Sequence, residues 1–79
     1  MSERVYEIVA SMLRVTRESL SPDSSPDTLP QWDSLRHLQI VLALEEALGI
    51  HLTVEEIEAM QRMAVIVAIV ESHEAGDRS

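Results

Sequence analysis

The run from Ser34 to Leu48 constrains this chain more than any other stretch. Its apolar residues Leu35, Leu38, Val41, Leu42, Leu44 and Leu48 recur at helical spacing, not with the alternation of a strand. Asp33 and Ser34 stand where a helix needs oxygen acceptors for its unpaired first amides. Gly49 stands where the chain must leave the helix through a left-handed residue. A helix over 34–48 is therefore fixed at both ends. Its apolar face is wider than a surface helix needs, so part of it is core, and Leu35 and Leu42 are left for something else to cover.

The rest of the chain is read around that helix. Val5, Ile8, Val9, Met12 and Leu13 share one face of a first helix over about 3–18, with Ser2 as its cap and Glu3 favoured by the helix dipole. Tyr6 is expected at the edge of that face with its hydroxyl in water. The stretch 19–33 carries Pro22, Pro26 and Pro30 among Ser, Asp and Thr, which opposes both helix and central strand. It is long for a small domain, and Leu20, Leu29 and Trp32 are its expected anchors, with Trp32 a lid over the helix ends. After an extended Ile50-His51-Leu52 connector, Thr53-Val54-Glu55-Glu56 is a capping box opening a short helix over about 54–59. Met63, Ile66, Ile69, Val70 and His73 mark a last helix over about 63–73 that has no Ser, Thr, Asp or Asn at its start. Glu74 to Ser79 is expected to fray. The expectation is an all-α four-helix bundle, three main helices plus a short third one, as a single domain over 1–79.

Composition narrows the function. Seventy-nine residues lie near the lower limit for an unstapled core, and a chain this short can hardly wall a deep enzyme pocket. Without cysteine there are no disulfides and no thiolate metal sites, and without Phe the core must be aliphatic. A formal charge of −8 repels nucleic acid and anionic membranes, and a helix-turn-helix reader would need a basic recognition helix that is not here. His37, His51 and His73 lack metal-ligand spacing, and the acidic loop lacks the pattern of a calcium-binding EF-hand. Met60 and Met63 read as core filler. With no membrane-spanning run and no signal-peptide pattern, a soluble cytoplasmic monomer is expected.

What can carry chemistry is Asp33-Ser34-Leu35. Taken alone, an Asp or Ser at a helix start is an ordinary cap. Here, however, the serine follows a long proline-marked loop, opens the most apolar helix and sits in a small acidic chain. That combination resembles the acyl carrier protein family, including peptidyl carrier domains, whose motif is Asp-Ser-Leu at the start of the second helix. Leu38, Leu42, Leu44-Glu45-Glu46 and the turn from Gly49 through Ile57 resemble the family as well, and the likeness runs from the first helix to about Ser72.

The resemblance implies a bundle of acyl-carrier type and covalent 4′-phosphopantetheine on Ser34, flanked by the motif residues Asp33 and Leu35. A phosphopantetheinyl transferase would install it from coenzyme A, an acyl- or aminoacyl-loading ligase would charge it, and synthase or transferase enzymes would use the cargo. The protein itself would not be an enzyme. The family's acyl-sheltering interior maps onto Leu44, Leu48, Leu52, Ile57 and Met60. Classical fatty-acid carriers have acids just after Ser-Leu, whereas this chain has Arg36, His37 and Gln39, with Glu45 and Glu46 only later. Arg36, His37, Leu42, Glu45 and Glu46 are thus the candidate partner contacts, and a dedicated, specialised pathway is implied. His37 itself reads first as a solvated histidine, and Glu55, Glu56 and Glu58 as a solvated face with a capping group. The alternative is an unmodified acidic helical interaction module in which Ser34 is only a cap.

Overall fold

The computed structural model describes residues 2–76, which form four helices and no strand. These are α1 (Ser2–Leu13), α2 (Ser34–Leu48), α3 (Val54–Ala59) and α4 (Met63–Gly76). Both α2 and α3 take the bounds read from their local signals. Asp33 caps α2 and Gly49 leaves it at φ 65°, while Thr53 and Glu56 form the full capping box of α3.

The first helix is shorter than its periodicity suggests. It stops at Leu13 because Arg14 adopts φ 60°, the left-handed position that usually takes glycine. The Arg14 amide then donates to the Ser11 carbonyl and the Val15 amide to the Ala10 carbonyl, closing a Schellman-type end. Val15 turns back onto the core instead of extending the helix. A separate 3-10 turn spans Arg17–Ser19. Ser2, expected as the cap, is already the first residue of α1, and Met1 lies outside the described residues. At the other end, α4 continues to Gly76 through part of the expected frayed tail, whose residues 77–79 lie outside the described ones.

Tyr6 is not at a wet edge. It is buried beneath the Arg17 guanidinium, which lies 4.0 Å from the ring centre. Arg17 also makes a two-pronged pair with Glu3, at 2.6 and 2.9 Å, and donates to the Leu20 carbonyl. The hydrogen bond and charge of Arg17 hold the Glu3 carboxyl below its usual range. One arginine thus folds the chain after α1 back along that helix.

Helices α1 and α2 pack antiparallel, and each has an arginine that reaches the other's last turn. Arg4 donates to the Ala47 carbonyl and Arg36 to the Met12 carbonyl, at 3.1 and 3.4 Å. Such end carbonyls have no partner within their own helix, so these bonds fix the pair lengthwise. Between the helices lies an aliphatic core: Val5, Val9 and Leu13 from α1, Ile40, Val41 and Leu44 from α2, and Met63, Ile66 and Val70 from α4. Leu20, Trp32, Ile50, Leu52 and Met60 complete it, and Leu29 packs against it, so the loop anchors stand as read. Ile40, which is not among the apolar residues that the spacing marks, is fully buried.

The long loop is a chain of turns. Hydroxyls supply the acceptors its amides need: Ser24 Oγ for Ser21 N–H, and Thr28 Oγ1 for Ser25 N–H. Its carbonyls do something further. Ser24 O and Pro22 O accept from the Met63 and Ala64 amides at 3.0 Å, which caps the start of α4 from outside that helix's own sequence. Among the described residues no helix is long and apolar enough to cross a membrane.

Candidate functional site

Asp33 is extended, at φ −97° and ψ −176°, so its carboxylate can turn back over the first turn of α2. Its Oδ1 accepts from the Arg36 amide at 2.8 Å. The cap of α2 is therefore Asp33, not Ser34. Ser34 is the first helical residue and exposed, with its hydroxyl free of the capping role that a serine at a helix start often takes. Leu35, beside it, is 63 % exposed.

A shallow groove of about 560 Å³ runs beside Ser34. Pro26, Trp32 and the capping Asp33 bring the long loop to it, His37 and Leu38 line it from α2, and Gln61 closes it from the connector before α4. Trp32 is buried, and its indole Nε1 donates to His37 Nδ1 at 3.1 Å. The two ring centres lie 6.2 Å apart with the planes inclined by 25°, and the hydrogen bond joins them. His37 Nε2 lies 3.0 Å from the Ile57 carbonyl in α3. His37 is thus no solvated histidine but a bridge between loop, α2 and α3. A tryptophan just before the helix and a histidine one turn into it were the signal for this bridge, but no local rule links them.

On its outer side α2 leaves Leu35, Leu38 and Leu42 more than half exposed, and α3 adds Val54. Helical spacing puts Leu38 on the apolar face of α2, yet it lies outside the core. Single exposed leucines need no explanation, but three at helical spacing on one helix make an unpartnered stripe. A second groove on the α1 side is bordered by Leu35, Leu42, Arg14, Arg36 and Glu46.

The remaining candidate contacts separate by what already holds them. Glu46 is exposed. Arg36 is half-buried and engaged with Met12, as described above. Glu45 accepts the Leu52 amide at 2.8 Å, with His51 Nδ1 at 3.6 Å, and so organises the turn into α3. Glu56 closes the capping box and also meets His73 Nε2 at 2.9 Å, tying α3 to α4. Donation from the Thr53 amide, and then from His73, lowers the Glu56 carboxyl below its ordinary range. Leu44, Leu52 and Met60 are buried in the core, with Leu48 and Ile57 packed against it.

What the arrangement offers chemically is one accessible hydroxyl at a helix entrance, a groove next to it and an apolar stripe below. The helix entrance favours a negative group through its unpaired amides and dipole. A comparison with protein-family models finds no match to this chain.

Proposed function

We propose that this protein is a carrier of acyl-carrier type, modified on Ser34 by 4′-phosphopantetheine. In the attachment step the Ser34 oxygen bonds to the phosphorus that bears pantetheine in coenzyme A. The pyrophosphate bond breaks, adenosine 3′,5′-bisphosphate leaves, and a base of the phosphopantetheinyl transferase takes the serine proton. The bound group supplies a terminal thiol on which acyl or aminoacyl groups are held as thioesters.

The observation that carries this reading is the exposed Ser34 hydroxyl on the first residue of α2, with capping left to Asp33. The residues present fit the group. Ser34 gives the attachment oxygen, the entrance of α2 suits the phosphodiester charge, and the groove edged by Trp32, Leu38 and Gln61 lies alongside. A loading ligase and a downstream synthase or transferase would meet the stripe of Leu35, Leu38 and Leu42. Glu46 and Arg14 stand beside that stripe in place of a row of acids, which supports a dedicated set of partners in a specialised pathway. Catalytic groups for attachment and loading would come from those enzymes, and the carrier works as a soluble cytoplasmic monomer.

The test is intact mass after incubation with coenzyme A, Mg²⁺ and a broad-specificity transferase. A gain of one phosphopantetheine that is absent in Ser34→Ala is the expected result. A folded protein that gains no mass with several transferases overturns the reading. The second reading, an unmodified acidic interaction module, is favoured by the same exposed stripe, which needs a partner whether or not Ser34 is modified. It predicts that Ser34→Ala leaves partner binding intact.

A further inference from the structure

We infer that His37 is a positioning residue that holds the wall of the groove beside Ser34, and that it does so only as the neutral imidazole protonated on Nε2. The inference rests on the proposed modification of Ser34 for its consequence, though not for its geometry.

The tautomer follows from the two partners. An indole N–H can only donate, so His37 Nδ1, at 3.1 Å from Trp32 Nε1, must be the acceptor and carry no proton. A carbonyl can only accept, so Nε2, at 3.0 Å from Ile57 O, must carry the proton. Ile57 O belongs to the last turn of α3, where it accepts from the Met60 amide at 3.3 Å and has a second lone pair for His37. Both ring nitrogens are therefore committed, one to the loop before α2 and the other to α3. Trp32 is only 2 % exposed, so no water can readily replace the acceptor if His37 ceases to be one.

Protonation of Nδ1 turns that acceptor into a donor facing another donor. The contact to Ile57 survives, because Nε2 keeps its hydrogen, while the contact to Trp32 is lost. The indole is then driven from its place in the groove wall, next to the serine that must enter a partner's active site. Besides His37, Asp33 is the titratable group lining the groove, and it is committed to the cap. On α3, Glu56 and Glu58 flank Ile57. Glu56 is held by Thr53 and His73, and Glu58 is exposed. From the loop, Asp27 follows the groove residue Pro26 and is exposed. Arg36 neighbours His37 on α2 and points to Met12.

Two substitutions divide the bridge. His37→Asn keeps an amide oxygen near the Nδ1 position to accept from the indole, and gives up the tie to α3. His37→Gln reaches the Ile57 carbonyl with its amide, and leaves the indole without an acceptor. Neither side chain titrates. Trp32 is the sole tryptophan, so tryptophan emission reports on the surroundings of this one indole.

The experiment follows Trp32 emission from pH 8 to pH 5. Far-UV circular dichroism is recorded in parallel to show that the helices persist. Wild type should shift to the red and lose intensity on acidification. His37→Asn should keep the pH 8 spectrum throughout, and His37→Gln should show the shifted spectrum already at pH 8. In transferase kinetics at pH 8, His37→Gln should raise KM for the carrier about fivefold or more with kcat unchanged, the effect of an indole displaced from the groove wall that the transferase meets. His37→Asn should stay near wild type. The same acid response in wild type and His37→Asn overturns the inference, as does a wild-type KM in His37→Gln. Should wild type itself take no phosphopantetheine, the reading of Ser34 falls, and the emission series still decides whether His37 holds the indole.

Discussion

Replacing Asp33 and Ser34 one at a time by alanine separates two roles that the motif joins. Asp33 Oδ1 accepts the Arg36 amide at 2.8 Å, a bond that Asp33→Ala removes outright. Losing such a cap costs about 1 kcal/mol, within a range of about 0.5 to 2. Losing the carboxylate charge at the helix entrance adds about 0.3 to 1 kcal/mol, towards the low end because Asp33 is exposed. Ser34 neither caps the helix nor is buried, so Ser34→Ala should fall within about 0.5 kcal/mol of wild type. In thermal melts followed by circular dichroism, Asp33→Ala should therefore lower Tm by several degrees, since about 1 kcal/mol corresponds to about 4–8 °C in a domain of this size. Ser34→Ala should leave the melt almost unmoved. Asp33→Asn, which keeps an acceptor and drops the charge, should lie between them. The assignment of the cap is refuted if Ser34→Ala is as destabilising as Asp33→Ala. The first serine of α2 would then be structural, and its case as an attachment point would weaken.

Two further outcomes can be checked on the same instrument. Gly49 and Arg14 end their helices in the same left-handed region, at φ 65° and 60°, so their substitutions should move stability in opposite directions. Gly49→Ala meets no neighbour within 4 Å, and its cost of about 1 kcal/mol is therefore conformational, whereas Arg14→Gly should gain about 0.5–1 kcal/mol; equal signs in denaturant melts would refute this. The Glu56 carboxyl is lowered in the folded protein by the Thr53 amide and by His73. Its contribution is thus present above the unfolded carboxyl pKa of about 4.3 and is lost as pH falls through the lower folded value. Glu56→Gln should flatten the acid limb of a stability-against-pH curve below about pH 4, and an unchanged limb would show that the carboxylate contributes nothing there.

How far the sequence could be read depends on where each hydrogen bond finds its partner. The ends of α2 and the start of α3 were readable because Asp33, Gly49, Thr53 and Glu56 act on amides and carbonyls a few residues away. Ser34 could be singled out, but its freedom from capping could not, because Asp33 and Ser34 are both competent caps. The end of α1 was hidden, since an arginine does the work for which a glycine is the usual sign. Leu38 lies outside the core and Ile40 inside it because the packing of α1 against α2 decides which part of a wide apolar face is covered.

By itself the sequence determined the helical class, the aliphatic core, the position of the central helix and the one serine that opens it. Those properties arise from periodicity, composition and caps, which act within a turn or two of chain. The tertiary structure decided the rest. It gave α4 a cap made of Ser24 and Pro22 carbonyls, made Arg4 and Arg36 close each other's helix ends, and turned His37 into a bridge from Trp32 to Ile57. Each of these joins groups on different segments, and the polar groups of buried backbone and side chains must find partners wherever packing brings them. No local pattern encodes that choice, because it is made only when the helices meet.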